Sequence, residues 1–365
     1  MTDYLLRYLT HDGVFVENIS DFSRLEYAQK ENDIGVMTIA LPENMIAPQL
    51  DGRLEVYRRV GAGGFNLEFG TQWFIRYWKK QRQGNVSSLL VKAYTGNELL
   101  SRRIIGYAAD TPQTNKTAHI DDMMKAFVRE NCGTLATDTG RNLSTYLSVQ
   151  GDFAGAPIHT KAASWKNLVP VLQELAETSM DMGTYLVFDT VKLTDIQMEF
   201  RVYIGQRGVN RGSTGASPLL VSDVNGSLSD TSLEYDYSSE GNYIYCGGRN
   251  EGIDRVVAEE EDTTRSLATV LNRREIFKDS RQTEEQEKVV EEAQASLNAN
   301  RPRIIFNGTL VDTDDIQYGV DYGFGDIVEA QYEDTVMDCH VNAVEVDVQG
   351  GKEVLTIKLR GEQYV

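Results

Sequence analysis

Gly52-Arg53-Leu54-Glu55-Val56-Tyr57 opens a strand, and a hairpin follows: Gln72-Trp73-Phe74-Ile75-Arg76-Tyr77-Trp78, then Ser88-Leu89-Leu90-Val91-Lys92-Ala93-Tyr94, closing at Gly96. Far along the chain the plan returns. Gly325-Asp326-Ile327-Val328-Glu329-Ala330 opens a strand, and its hairpin runs Met337-Asp338-Cys339-His340-Val341, then Glu353-Val354-Leu355-Thr356-Ile357-Lys358-Leu359, closing at Gly361. The two stretches differ mainly by one loop. Any two antiparallel meanders share this outline, so the pattern alone leaves duplication and coincidence both open. A true duplication has a geometric consequence. Three chains carrying two copies each present six similar faces, which fits a three-fold object to a six-fold tube.

Outward from these stretches, the N-terminal part alternates at period two. Met37, Ile39 and Leu41 share one face, as do Trp73, Ile75 and Tyr77. Turns at His11-Asp12-Gly13 and Gly61-Ala62-Gly63-Gly64 separate short strands, which predicts a small barrel or sandwich. After Gly106 the period lengthens. Ile120, Met123, Met124, Phe127 and Val128 form the stripe of an amphipathic helix that Gly133 ends. A second helix, roughly Trp165 to Thr178, turns Leu168, Val171, Leu172 and Leu175 inward, with Gly183 as its stop; Pro170 lies in or near its first turn, or kinks the helix there. Ile196, Met198, Phe200, Val202 and Ile204 then alternate along a strand able to cover both helices. An inserted α+β module is expected.

Residues Gln206 to Pro218 have no period and read as an exposed loop. Strands resume at Ser232–Tyr237 and Asn242–Cys246. Thr283 and Gln286 have capping-box spacing, and Val289, Val290, Ala293 and Leu297 form the narrow seam of a largely wet helix ending before Pro302. Near the C-terminus the inward set switches from Met337, Cys339 and Val341 to Val344, Val346 and Val348. That switch predicts a bulge near Ala343.

Composition narrows the function. A chain of 365 residues can hold two to four domains. With 36 Lys and Arg against 55 Asp and Glu, its net charge of −19 argues against grip on nucleic acid or anionic lipid. A surface that lines a DNA passage without holding the DNA remains compatible. The cysteines, Cys132, Cys246 and Cys339, are few and odd in number, with no CxxC spacing, so reduced thiols made in a cytosol are expected. Met1-Thr2-Asp3-Tyr4-Leu5-Leu6-Arg7 lacks the pattern of a signal peptide, and no apolar run is long enough to span a bilayer.

Chemistry is thinly represented. The histidines, His11, His119, His159 and His340, have no second ligand at metal spacing. Cys339 and His340 are adjacent on a strand and point to opposite faces, so a core Cys beside a surface His is expected. No nucleophile elbow, metalloprotease helix or Walker loop occurs. Asp312-Thr313-Asp314-Asp315 lacks the Gly and distal Glu of a calcium loop and reads as a solvated turn. Glu259 and Glu261 read as a solvated charge run, not a glycosidase couple. Tyr235, Tyr237, Tyr243 and Tyr245 sit at strand spacing, as barrel wall or contact anchors. No catalytic, cofactor-binding or metal-binding residue is predicted.

Three segments resemble one family, the tail hub proteins of long-tailed phages (siphoviruses), related in fold to the baseplate hub of contractile phages. The first is Gly96-Asn97-Glu98-Leu99-Leu100-Ser101-Arg102-Arg103-Ile104-Ile105, similar to the family's junction after the first barrel. The second is Asn225-Gly226-Ser227-Leu228, then Asn242-Tyr243-Ile244-Tyr245-Cys246-Gly247-Gly248 and Glu251-Gly252-Ile253-Asp254-Arg255. The third is Arg274-Glu275-Ile276-Phe277-Lys278-Asp279-Ser280-Arg281, then Tyr322-Gly323-Phe324-Gly325-Asp326-Ile327-Val328. Thr134 to Ser164 matches nothing in the family.

The resemblance implies a mainly β chain with α+β insertions, in which two similar small antiparallel barrels per subunit build a pseudo-six-fold ring in a homotrimer. It implies a first barrel at 1–106, an inserted domain at 107–222, a discontinuous second barrel from 223–262 and 301–365, and a charged helical excursion at 263–300. The expected place is the virion tail tip, after synthesis in the host cytoplasm. Expected partners are the distal tail or tail tube protein, a tip fibre, spike or receptor-binding protein, the tape measure protein, and DNA in transit. Because the last barrel strand ends just before Val365, receptor-binding or wall-degrading activity is expected on other polypeptides. Arg102 and Arg103 are expected at the barrel-to-insert junction, Arg207 and Arg211 as partner contacts, and Arg255 within the second segment. A cell-wall hydrolase and a receptor- or carbohydrate-binding tail module are the alternative readings.

Overall fold

The computed structural model describes residues 2–84, 86–107, 113–136, 138–281 and 283–364. Met1 and Val365, the outer limits of the expected barrels, lie outside the described residues, as does Thr137 in the unmatched segment. The chain opens with β1 (Thr2–Leu9), β2 (Phe15–Ile19), β3 (Arg24–Lys30), β4 (Val36–Pro42), β5 (Arg53–Val60), β6 (Asn66–Leu67), β7 (Trp73–Gln83) and β8 (Val86–Thr95). Next come α1 (Glu98–Ser101), β9 (Thr114–His119), α2 (Ile120–Cys132), β10 (Leu147–Val149), β11 (Ile158–Ala163), α3 (Leu168–Asp181), β12 (Leu186–Lys192) and β13 (Met198–Ile204). They are followed by β14 (Asn210–Arg211), β15 (Leu220–Ser222), β16 (Leu228–Asp236), β17 (Tyr243–Gly247), β18 (Val257–Glu261), α4 (Thr263–Ser266), β19 (Glu275–Asp279) and α5 (Gln286–Ala299). The remaining strands are β20 (Arg303–Leu310), β21 (Ile327–Tyr332), β22 (Thr335–Gln349) and β23 (Lys352–Tyr364).

The two stretches that opened the reading share one topology. In chain order the first set is β3, β4, β5, β7 and β8, and across the sheet it runs β3-β4-β8-β7-β5. The second set is β16, β20, β21, β22 and β23, and it runs β16-β20-β23-β22-β21. Every neighbouring pair in both sets is antiparallel. Equivalent rows carry equivalent side chains. Leu25, Ile39 and Val91 lie opposite one another in the first set, Leu228, Leu310 and Ile357 in the second, and all six are buried.

Both hairpins bulge at the same place. The register of β7 on β8 shifts between Ile75 and Tyr77, and that of β22 on β23 between Val341 and Ala343, as the switch near Ala343 predicts. The residue before each bulge ties down the start of the opening strand. Ile75 N donates to Gly52 O at 2.8 Å and its carbonyl accepts from Asp51 N at 3.0 Å; Val341 does the same with Asp326 O at 2.8 Å and Gly325 N at 3.0 Å. Gly52 therefore corresponds to Asp326, one position away from the glycine it matched in sequence. The left-handed residue is Asp51 (φ 59°) in one copy and Gly325 (φ 82°) in the other. The bulge at Arg76 also corrects the expected face of Tyr77, which is exposed while Trp73 and Ile75 are buried.

No closed barrel forms among the described pairings. The two sets are joined through β22 and β3 into one open 15-stranded sheet, from β16 through β23, β22, β3 and β8 to β2. They also share one apolar core, with Leu6, Tyr27, Ile39 and Trp73 from the first half and Phe306, Val328, Val341 and Leu359 from the second. Two separate barrel cores were expected. They merge because the outer half of β22 lies directly on β3.

A second core holds the inserted α+β element. Ile120, Met123, Met124, Phe127 and Val128 of α2 and Leu168, Val171, Leu172 and Leu175 of α3 pack on the β10-β13-β12 sheet. Pro170 falls in the first turn of α3, whose N-terminus is capped by Asn167 accepting from Val169 N at 3.1 Å. A third, small core sets Val289, Ala293 and Leu297 of α5 against the β18-β17-β19 sheet. Of the segment 223–262, only β16 reaches the large sheet. β17 and β18 pair with each other instead. The capping box at Thr283 does not form. Thr283 Oγ1 donates to Glu292 Oε1 at 2.6 Å, and the helix starts after Glu285.

Candidate functional site

The equivalence of the two sets exposes a difference in what covers them. The outer half of β22, Ala343–Gln349, has β23 on one side and β3 on the other. The corresponding outer half of β7, Tyr77–Gln83, has β8 on one side, and among the described residues no strand on the other, because β5 reaches only Phe74 and Trp73. Arg76, Tyr77, Trp78, Lys79, Lys80, Gln81 and Arg82 are all exposed, on both faces of the strand. Tyr77 is 45% and Trp78 39% accessible.

β16, the counterpart of β3, is open in the complementary way. It pairs with β20 and, among the described residues, with nothing on its other edge. It carries Asp230, Glu234 and Asp236, with Tyr235 exposed. One open edge is thus basic and aromatic, the other acidic and aromatic. Sequence reasoning missed both. The available signal was the run Trp78-Lys79-Lys80-Gln81-Arg82, which abandons alternation while remaining strand.

The predicted arginines act as ties within the chain. Arg102 donates to Asp51 Oδ1 at 2.7 Å and to Glu98 Oε2 at 2.7 Å, fixing the left-handed Asp51 to α1. Burial pushes the Asp51 carboxyl up, but Arg102 and Arg76 outweigh it and hold it below the usual carboxylate range. Arg103 reaches Arg141 O at 3.3 Å. Arg207 is not in an exposed loop. Its Nε donates to Asp189 Oδ2 at 2.7 Å, and its guanidinium lies 5.3 Å from the Phe324 ring centroid and meets Phe69 O, so it pins three parts of the chain together. Burial pushes Asp189 up, and Arg207 draws it partly back. Arg211 donates to Asp326 Oδ2 at 3.2 Å, and β14 pairs in parallel with β21. Arg255 donates to Asp279 Oδ1 at 2.5 Å and to Gly247 O at 2.9 Å, within the small sheet.

A buried network welds the two sets. Arg58 of β5 makes a two-pronged ion pair with Glu353 of β23 at 2.8 and 3.0 Å, and donates to Tyr318 O at 3.0 Å. Beneath it, Glu68 Oε2 accepts from Tyr27 at 3.3 Å and Tyr318 at 3.4 Å. Burial pushes Glu68 up to about 7, against the pull of Arg58. A carboxyl raised on folding holds its proton more tightly in the native state. Its stabilising effect is therefore complete below its unfolded value near 4.5 and lost as pH rises through about 7. Glu68→Gln is expected to remove this loss, leaving the variant more stable than the parent at pH 8 by about 3 kcal/mol but close to it at pH 4.5, as read by urea unfolding.

The remaining candidates are accounted for locally. Cys132, Cys246 and Cys339 are buried free thiols. His340 is not on the surface but stacks on Tyr185 at 3.9 Å. His119 precedes α2 and bonds Ala156 O at 2.5 Å. Asp312 accepts from Tyr318 N at 2.9 Å and Tyr322 Oη at 2.8 Å. Glu259 and Glu261 have separate partners, Tyr243 and Ser266, each at 2.5 Å. Among the described residues no group of His, Cys, Asp and Glu is placed to hold a metal ion, and no helix is long and apolar enough to cross a membrane.

The chain is thus mainly β, with a repeated five-strand set, two appended modules, and open edges on β7 and β16. Residues 6–359 match the family described as Siphovirus ReqiPepy6 Gp37-like protein, and the chain belongs to that family. The resemblance read from the three sequence segments is borne out. The fold is similar to that of the 43 kDa tail protein of prophage MuSo2 from Shewanella oneidensis, with 9% identity, a TM-score of 0.56 and 98% of each chain covered. It is similar to that of the tail protein from Neisseria meningitidis MC58, with 11% identity and a TM-score of 0.55 over 99% of this chain and 97% of that one. Prophage tail protein gp18 from Listeria monocytogenes EGD-e aligns with 10% identity and a TM-score of 0.52, over 98% and 94% of the two chains. No curated protein matches the chain in sequence.

Proposed function

We propose that the chain is the structural hub of a phage tail tip, a homotrimer whose three subunits supply six equivalent ring segments. The observation that carries this reading is the repeated strand order, β3-β4-β8-β7-β5 and β16-β20-β23-β22-β21, with the same bulge in each copy. The ring segments are these two sets. The stretch within 107–222 built on α2 and α3, and the small sheet with α5, are appended modules. The six-fold side of such a ring suits the distal tail protein or tail tube, its three-fold side a spike, fibre or receptor-binding protein, and its bore the tape measure protein and then DNA. A net charge of −19 fits a passage that DNA crosses without adhering. The arginine ties at Arg102 and Arg207 stiffen each subunit for that role.

Light scattering on the purified chain should give the mass of three chains, and gold-labelled antibody should mark the far end of the tail on intact particles. A strict monomer, or label confined to the head, contradicts the reading.

A further inference from the structure

Resting on the ring reading above, we infer that the joint between subunits is a strand pairing, with the outer half of β7 laid antiparallel on β16 of the next copy, in the register already used inside the chain by β22 and β3. Within the chain that joint comprises seven residue pairs, from Ala343 opposite Lys30 to Gln349 opposite Arg24. It joins the second set to the first. Closing a ring of six sets requires a matching joint from the first set of one copy to the second set of its neighbour. The strands equivalent to β22 and β3 for that joint are β7 and β16, and among the described residues both have an open edge. An open edge presents a row of unpaired N–H and C=O groups, which pair readily with another strand.

The equivalences fix the register. Tyr77 and Lys92 match Ala343 and Lys358 beyond the bulges, and Leu25 matches Leu228 through their rows on β4 and β20. β16 has a bulge of its own between Ser229 and Ser232, which shifts the later positions by one. Transferring the pairs places Tyr77 opposite Glu234 of the partner subunit, Trp78 opposite the partner's Leu233, Lys79 opposite the partner's Ser232, and Lys80 opposite the bulge at the partner's Asp230. The chemistry is complementary from Tyr77 to Lys80, and beyond them Gln81 falls opposite the partner's Ser229 and Arg82 opposite the partner's Leu228. Trp78 meets an apolar side chain, Lys79 has the carboxylate of the partner's Glu234 on one diagonal, and Lys80 meets a carboxylate directly.

One contrast supports assigning this joint to separate chains. The inner-face positions Val344, Val346 and Val348 of β22 correspond to Trp78, Lys80 and Arg82 of β7. The inner face of the joint within the chain sets Val344, Val346 and Val348 beside Leu25 and Tyr27 in the core and forms on folding. The joint between chains carries charge, which keeps the free subunit soluble until its partner arrives.

Oxidation of the double variant Lys79→Cys with Ser232→Cys tests this. Both positions are exposed, and the native thiols are buried. The expected reading on a non-reducing gel is a shift of the main band from one chain to three, absent in either single variant and lost on reduction. An out-of-register double variant, Lys79→Cys with Ser229→Cys, should stay at one chain. Matching thermal unfolding of all variants and the parent shows that folding is intact. A three-chain mass by light scattering without the covalent shift overturns the strand joint and leaves the hub reading standing. A one-chain mass overturns both. Equal cross-linking by the out-of-register variant overturns the register, and bands running past three chains overturn closure of the ring.

Discussion

Replacing Lys79, Lys80 and Arg82 together with glutamate is expected to turn the trimer into monomers while leaving the subunit folded. All three side chains are exposed on the open edge of β7 and have no ion-pair partner within the chain among the described residues. Exposed substitutions of this kind usually change stability by less than about 0.5 kcal/mol. Across the proposed joint the new carboxylates at positions 79 and 80 face the partner's Glu234 and the partner's Asp230, where like charges repel, while position 82 falls opposite the partner's Leu228. If each of the two reversals that face a carboxylate weakens association by roughly 1.4 kcal/mol, together they make it about a hundredfold weaker. Sedimentation over a concentration series reads the change. Reversing Asp230 and Glu234 to lysine in the same chain should restore most of the lost affinity. A triple-glutamate variant that stays trimeric at the parent's affinity would show that the subunits meet elsewhere.

Arg58→Ala is expected to destabilise the subunit by about 3–5 kcal/mol, because it leaves Glu353 charged and largely buried without its partner. Arg58 is 3% and Glu353 16% accessible, and the pair spans the two repeated sets. Burial lowers the Arg58 pKa and raises that of Glu353, but in each the pairing outweighs burial. Loss of the guanidinium also frees Tyr318 O and the space beside the Tyr318 ring. Urea unfolding in the monomeric triple-glutamate background isolates the effect from assembly. Arg58→Met with Glu353→Leu should recover most of the loss, since apolar side chains of similar size replace a buried ion pair well. A loss below about 1 kcal/mol for Arg58→Ala would mean the pair behaves as a surface salt bridge and does not weld the sets.

Much of the fold was legible because it follows from local periodicity. The stripes of α2 and α3, the seam of α5 and the bulge near Ala343 all leave marks within a few residues. The misreadings share a different cause. Asp51 adopts the left-handed conformation that Gly325 adopts in the other copy, so glycine matching set the two repeats one residue apart. The bulge at Arg76 falls inside an unbroken apolar alternation, and nothing in Trp73, Ile75 and Tyr77 announces it. β17 and β18 alternate as any half-buried strand does, and which sheet they join depends on β19 and α5. Arg207 looked exposed because its loop has no period, yet Asp189, Phe69 and Phe324, distant in sequence, enclose it. The open edges were the hardest feature to read. An uncovered strand is defined by the absence of a neighbour, which only the assembled sheet displays.

Class-averaged electron images of the purified chain, taken together with its mass in solution, test the central claim most directly. Two topologically equal sets per chain and three chains per ring predict a closed ring of six similar lobes around a bore, with the mass of three subunits. A compact single particle, or a ring whose lobes equal its chains in number, would contradict the account.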